Sequence, residues 1–118
     1  MRKADLQIKR VYAEAAPQDG ARILVDRLWP RGMKKEAAGL ALWLKEVAPT
    51  TALRQAFHQG GMDWEEFRRR YRAELDANPE PVARLREYLH KGRVTLLYSV
   101  HDEVRNHAAV LAEYLRGG

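Results

Sequence analysis

The chain has 118 residues, of which 46% are hydrophobic and 31% charged, a composition that indicates a globular domain with its own core and argues against a disordered segment. The absence of cysteine excludes disulfides, thiolate metal sites and a cysteine nucleophile. The net charge of +5 mildly favours an anionic partner, either nucleic acid or a phosphorylated small molecule, although solubility alone would explain it equally well.

The sequence shows neither a division into parts nor a membrane segment. It contains no internal repeat and no linker long enough to separate domains, so residues 1–118 are predicted to form a single domain. The N-terminal stretch MRKADLQIKR is charged and has no apolar run of signal-peptide length, and no stretch approaches the length of a membrane span. We therefore expect a cytoplasmic protein without a membrane partner.

Three segments have the β-branched and apolar character of strands. The first covers residues 6–13 and is followed by a turn at 17–20, the second covers 21–26, and the third covers 93–100. Unbroken apolar runs in the second and third segments indicate burial on both faces, which is typical of a parallel sheet covered by helices.

Helical patterns fill most of the chain between the second and third strands. The first helix is predicted to end at Pro49 and to bury a stripe at helical spacing, formed by Leu40, Trp43, Leu44 and Val47. Thr50 or Thr51 is predicted to cap a short helix that ends before Gly60. Asp63 and Glu66 resemble a capping box for the next helix, whose buried face is Trp64, Phe67, Tyr71 and Leu75.

The C-terminal part of the chain predicts two more helices. One contains Pro81 in its first turn and is closed by Gly92, and the last begins near Asp102 and buries Val104, Ala108, Leu111 and Leu115. The element order predicts an α/β fold, with a small and mainly parallel sheet of about three strands covered by about five helices in a Rossmann-like three-layer arrangement.

Each of the two apolar strands runs into a segment rich in polar and charged groups. The second strand is followed by DRLWPRG at 26–32, and the third by a segment at 99–107. Ligands of open parallel sheets bind beyond the carboxyl ends of the strands. If the two strands are near neighbours, both segments meet at one edge and form a binding site there.

The first segment carries five candidate site residues. Arg27 and Arg31 suit bidentate pairing with phosphate or carboxylate, and Gly32 allows the backbone to approach a ligand. Trp29 offers a flat face on which a base could stack, and Asp26 could orient an arginine or act as a catalytic acid or base. The alternative is a purely structural role, in which Asp26 and Arg27 form ion pairs elsewhere, Trp29 packs in the core and residues 30–32 form only a turn.

The second segment adds a candidate base. His107 is predicted to lie about a turn and a half into the last helix and to face the sheet edge as a general base, while Tyr98 and Asn106 are candidate ligand-binding residues. Packing or capping roles are the alternatives for His107 and Asn106. His101 and His107 have no carboxylate at metal-binding spacing, so neither a metal nor another cofactor is predicted.

The most obvious basic patch is the run RRRYRAEL, with Arg68, Arg69, Arg70 and Arg72 on one predicted helix. Nearby glutamates at helical spacing favour a solvated face. Three functions are left open. The first is a binding or enzymatic site at the sheet edge for a phosphate-bearing or other anionic small molecule, including a nucleotide; the others are a nucleic-acid-binding accessory protein that uses these arginines and a non-catalytic interaction module. The sequence does not indicate which oligomeric state the protein adopts.

Four segments in order, DGARILVDRLWPRG, WLKEVAPTTALR, WEEFRRRYRAEL and VTLLYSVHDEVRNHAAVLAEYL, resemble the YeaO-like branch of the domain-of-unknown-function 488 (DUF488) family over nearly the whole chain. The resemblance implies a small α/β fold and a cytoplasmic bacterial protein, with no assigned activity. The positions that match the family's pattern are Asp26, Arg27, Trp29, Pro30, Arg31, Gly32, Trp43, Ala48, Pro49, Trp64, Phe67, Tyr71, Asn106 and Ala108.

The chain departs from the wider family at two places. Other branches are expected to have Cys-His-Arg at the start of the last helix, where this chain has Asn106, His107 and Ala108. His58 is followed by Gln59 where Asp-Pro is expected. Chemistry that needs a sulfur nucleophile is therefore not expected here.

Overall fold

A computed structural model describes residues 5–117; residues 1–4 of the charged N-terminal stretch and Gly118 lie outside the described part. Four strands form one parallel sheet, and they are β1 (Leu6–Arg10), β2 (Ala21–Leu24), β3 (Leu42–Trp43) and β4 (Val94–Tyr98). The helices are α1 (Lys35–Ala38), α2 (Thr51–His58), α3 (Trp64–Asp76), α4 (Pro79–Lys91) and α5 (His107–Leu115), with 3₁₀ turns at Pro17–Asp19 and Lys45–Val47. The predicted α/β class is confirmed, with one strand more than expected.

The sheet has the strand order β1-β4-β2-β3, and all its pairs are parallel. In the register, Leu96 of β4 lies between Ile8 of β1 and Ile23 of β2. All five residues of β4 are buried, because it is an inner strand with both faces covered. The two apolar strands, β2 and β4, are adjacent, which meets the condition for the segments that follow them to share one edge.

Successive side chains of a strand point to opposite faces, so the sheet has two apolar layers. The larger one joins Ile23 and Leu96 to helices α3, α4 and α5 through residues such as Tyr71, Leu85 and Leu111. The smaller one, on the other face, comprises Val11, Leu24 and Leu97, with Trp29, Met33, Leu40 and Trp43 packed against it.

The prediction of a helix that buries residues 40–47 and ends at Pro49 is wrong. Its apolar stripe is divided between the two faces of the sheet, because Leu40 and Trp43 join the smaller layer whereas Leu44 and Val47 join the larger one. This segment forms the edge strand β3, in which Leu42 pairs with Ile23 of β2, and then a 3₁₀ turn. The helical spacing of the four residues was thus coincidental.

The last helix begins at His107 and not near Asp102. Oδ1 of Asp102 accepts hydrogen bonds from the backbone N–H groups of Val104 and Arg105, both at 2.9 Å, which makes a turn outside the helix. Asn106 is the N-cap, and its Oδ1 accepts from Ala109 N at 2.8 Å. The prediction that Val104 is buried is also wrong, since it is 75% exposed.

Several local predictions are confirmed. Thr50 caps α2 by accepting from Leu53 N, and Asp63 caps α3 by accepting from Glu66 N. Gly92 closes α4, and Pro81 lies in the first turn of this helix, which begins at Pro79. Within residues 5–117, no helix is long and apolar enough to cross a membrane.

Candidate functional site

The segments that follow β2 and β4 line a single cavity at the carboxyl edge of the sheet. The cavity has a volume of about 210 Å³ and is lined by residues 26–31 and by parts of 99–107. Helix α2, Phe67 of α3 and the Ala48–Pro49 segment complete its wall. Arg31 and His107, expected at one edge, therefore line the same cavity.

Asp26 and His107 form the polar floor of this cavity. Nε2 of His107 lies 3.0 Å from Oδ1 of Asp26 and 3.1 Å from the carbonyl oxygen of Val25. Because both neighbours are acceptors, Nε2 is the ring nitrogen that carries hydrogen. Asp26 is 8% exposed, and its Oδ1 receives no well-directed hydrogen bond from residues 5–117.

Ser99 completes this group, and no prediction from the sequence had singled it out. Its hydroxyl donates to Oδ2 of Asp26 at 2.5 Å. Arg10 holds the same segment by donating to the carbonyl oxygens of Ser99 and Val100 at 2.8 and 2.9 Å. The serine therefore bonds the carboxylate rather than the histidine, an arrangement that differs from a serine–histidine nucleophile pair.

Arg27 lines the cavity, but its guanidinium is engaged with the protein. It donates to the carbonyl oxygens of Ala48 at 3.1 Å and Pro49 at 3.3 Å. These bonds hold one wall of the cavity in place.

Trp29 and Trp43 support the site from the smaller apolar layer. Trp29 donates from Nε1 to the Met33 carbonyl at 2.7 Å, and its ring meets that of Trp43 edge to face at 5.4 Å. Trp43 in turn donates to the carbonyl of Asp26 at 2.7 Å. Trp29 borders the cavity, yet its ring is largely committed to packing.

Two of the predicted ligand-binding residues do not line the cavity. Gly32 is exposed, with a φ of 76° that suits glycine in the turn after Pro30. Tyr98 is buried at the end of β4, and burial raises the pKa of its phenol. Asn106 does line the cavity while it caps α5.

The structure adds cavity residues that had not been predicted. Arg54, Phe57 and His58 reach the cavity from α2, and Arg105 reaches it from the loop before α5. The positions 54, 57 and 58 have helical i, i+3, i+4 spacing, so the capped helix already placed them on one face. Partial loss of solvent lowers the pKa of His58, and the positive charges of Arg54 and His107 lower it further.

The arginine-rich face of α3 lies apart from this cavity and is paired with carboxylates. Arg68 contacts Glu65 at 2.9 Å and Glu113 at 2.5 Å, and Arg69 and Arg70 both bond Glu66. Arg72 lies 3.8 Å from Glu113. In the described part of the chain, no group of three or more His, Asp or Glu side chains is arranged to hold a metal ion.

Comparison with known proteins identifies relatives along the whole described chain. Residues 5–117 match the family model described as the inactive DUF488-N3 subclade. The uncharacterized protein YeaO of Escherichia coli K12 is 49% identical over 112 residues, covering 95% of this chain and 97% of that protein. The uncharacterized protein Rv3073c of Mycobacterium tuberculosis H37Rv is 38% identical over 117 residues, covering 99% and 98%. No solved structure matches. The chain therefore belongs to the DUF488 family as a YeaO-like member of its inactive DUF488-N3 subclade.

Proposed function

We propose that this protein binds a phosphate-bearing or other anionic small molecule in the cavity at the carboxyl edge of the sheet. The main support is the convergence of Arg31, Arg54 and Arg105 on the cavity from three separate segments. All three are exposed, and none makes a salt bridge within residues 5–117. Guanidinium groups that border a cavity without a carboxylate at salt-bridge distance are suited to phosphate or carboxylate.

The position of α5 adds to this support. Its N-cap Asn106 and first residue His107 both line the cavity, so the positive end of the helix dipole lies beside it. The ring of His107 adds a further hydrogen-bonding group at this end of the helix.

A binding role is favoured over catalysis by the contacts of the floor. Ser99 bonds Asp26 and not His107, so this serine has no adjacent base to activate it. The description of the subclade as inactive agrees with a binding protein. Acid or base roles for Asp26 and His107 are the alternative within the same site. We also infer that the protein acts in the bacterial cytoplasm.

The other two proposed functions have less support. The arginines of α3 contact glutamates, which reduces their attraction for a phosphate backbone. A non-catalytic interaction module would present a broad exposed apolar patch. The exposed large hydrophobic side chains in the described chain are Tyr12, Leu28 and Val104, and these are few.

Isothermal titration tests the anion-binding proposal. Inorganic phosphate, ribose 5-phosphate and nucleoside monophosphates are titrated into the wild-type protein and into Arg31→Ala and Arg54→Ala. Arg84→Ala on α4, which removes an exposed charge away from the cavity, is the matched control. We expect each cavity variant to bind about tenfold more weakly and the control to match the wild type, since a charge-assisted bond contributes about 1.5–3 kcal/mol. Equal binding by all variants, or no binding of any anion, would contradict the proposal.

A further inference from the structure

We propose that the anion bound in this cavity is a nucleoside monophosphate, whose base enters the cavity while its phosphate stays at the mouth. This inference rests on the proposed anion-binding function and adds the class and orientation of the ligand. It comes from the distribution of charge and of aromatic groups between the floor and the rim.

The positive charge of the cavity lies at its rim. Arg31, Arg54 and Arg105 are all exposed, whereas the buried lining includes Asp26 at 8% exposure. A phosphate pushed to the floor would approach the carboxylate of Asp26 and be repelled by it. At the mouth, the same phosphate would instead meet Arg31, Arg54 and Arg105, the exposed arginines of the lining.

One wall of the interior is aromatic. Phe57 and Phe67 both line the cavity and stack on each other, with ring centroids 4.5 Å apart. Ala48 and Pro49 are buried lining residues beside them. A planar heteroaromatic ring fits such a wall, whereas the hydroxyl groups of a sugar would lose water there without hydrogen-bonding partners.

The floor contains a hydrogen-bonding group suited to the edge of a base. Oδ1 of Asp26 is closed off from solvent and faces Nε2 of His107 at 3.0 Å, so it is not the atom that a ligand would reach. His107 lines the cavity, and because its Nε2 carries hydrogen, its other ring nitrogen, Nδ1, would accept a hydrogen bond from a ring N–H of the base.

Size and exposure agree with this orientation. A cavity of about 210 Å³ is smaller than the 300–1,000 Å³ or so of pockets that enclose drug-sized ligands, so it accommodates a base and leaves the sugar phosphate outside. Leu28 lines the mouth and is 65% exposed. A ligand that protrudes from the mouth would cover this side chain.

A matched set of probes tests the inference. Uridine 5′-monophosphate is titrated calorimetrically beside ribose 5-phosphate, which lacks the base, and uridine, which lacks the phosphate. The adenosine, guanosine and cytidine monophosphates are titrated in the same way. We expect at least one nucleoside monophosphate to bind roughly 10- to 100-fold more tightly than ribose 5-phosphate, the range that stacking of a base on an aromatic side chain provides.

Variants of Phe57 locate the ring. Phe57→Leu is expected to remove most of this advantage without changing the affinity for ribose 5-phosphate, and Phe57→Tyr is expected to retain it. Thermal unfolding of each variant verifies that it is folded. If ribose 5-phosphate binds as tightly as every nucleotide, or if Phe57→Leu and the wild type bind nucleotides equally, the inference is overturned and the anion-binding proposal stands. If no phosphate compound binds, or if uridine binds as tightly as its monophosphate, the anion-binding proposal itself fails.

Discussion

The hydroxyl of Ser99 donates to Oδ2 of Asp26 at 2.5 Å, which joins the ends of two adjacent parallel strands. Asp26 follows β2 and Ser99 follows β4, so this bond closes the floor of the cavity. The same carboxylate contacts His107 through its other oxygen at 3.0 Å. One side chain thus connects three segments of the site.

We expect Ser99→Ala to lower the free energy of unfolding by about 1–3 kcal/mol, because a buried carboxylate oxygen loses a charge-assisted hydrogen bond. Urea unfolding at neutral pH measures the change. His101→Ala, an exposed histidine of the same loop, is the control and should stay within about 0.5 kcal/mol of the wild type. Equal stability of the two variants would show that the bond contributes nothing.

The capping residue of α2 is expected to affect both stability and binding. Thr50 accepts from Leu53 N at 3.2 Å and donates to Glu74 at 2.7 Å, and the helix it starts carries Arg54 and Phe57 to the cavity. Thr50→Ala should cost about 1 kcal/mol of unfolding free energy and weaken the binding of the anion.

The adjacent Thr51 provides a matched control for this change. It is exposed and lies inside the helix, where its side chain is not the cap. Thr51→Ala should therefore remain close to the wild type in urea unfolding and in calorimetric titration with phosphate. If Thr51→Ala lost as much unfolding free energy as Thr50→Ala, both threonines would act through helix propensity, and the cap would not explain the effect.

The parts of the fold that could be predicted are those decided by local physics. Continuous apolar runs in β2 and β4 indicated strands covered on both faces, and the side chains of Thr50 and Asp63 marked helix starts. The segment 40–47 could not be assigned in this way. Its apolar residues have helical spacing, and only tertiary contacts show that they are divided between two layers.

The parts of the candidate site that could be predicted were likewise those that depend on local features of the sequence. The two segments after β2 and β4 could be predicted to meet because the carboxyl ends of neighbouring parallel strands share an edge. The contribution of α2, with Arg54 and His58, depends on how that helix packs, which no local pattern encodes. The polar partners of Trp29 and Arg27 are backbone carbonyls, and the sequence does not show which carbonyls will be near.

A buried ion pair distant from the cavity predicts an acid transition. Asp19, 2% exposed, accepts hydrogen bonds from Arg22 at 2.5 Å, from Lys9 at 3.0 Å and from Ala16 N at 3.1 Å. Burial alone would raise the pKa of its carboxyl, but the hydrogen bonds from Ala16, Lys9 and Arg22 outweigh burial and lower it.

Because the folded-state pKa of Asp19 is lowered, its contribution to stability is present above the ordinary aspartate value of about 3.9 and is lost as the pH falls through the lower, folded value. Asp19→Asn should cost about 3–5 kcal/mol at pH 7, since it leaves a buried arginine without its charge partner. The difference from the wild type in urea unfolding should narrow in acid. Asp5→Asn, an exposed carboxylate paired with Arg93, is the control, and a difference that stays constant down to pH 2 would contradict the assignment.

His58 gives a second pH dependence, of opposite chemical origin, at the rim of the cavity. Partial loss of solvent lowers the pKa of its imidazole, and Arg54 and His107 add to the effect. A histidine with a lowered folded-state pKa is protonated more readily in the unfolded chain, so stability falls as the pH drops below the ordinary value of about 6.5.

Relative to His58→Gln, the wild type should therefore lose stability between pH 8 and pH 5 in Mes and Hepes buffers. Since a bound phosphate near Arg54 would offset the positive charge there, adding phosphate should reduce this loss in the wild type, and it should do so less in Arg54→Ala. A wild type and a His58→Gln variant with parallel pH profiles would show that the imidazole does not sense these charges.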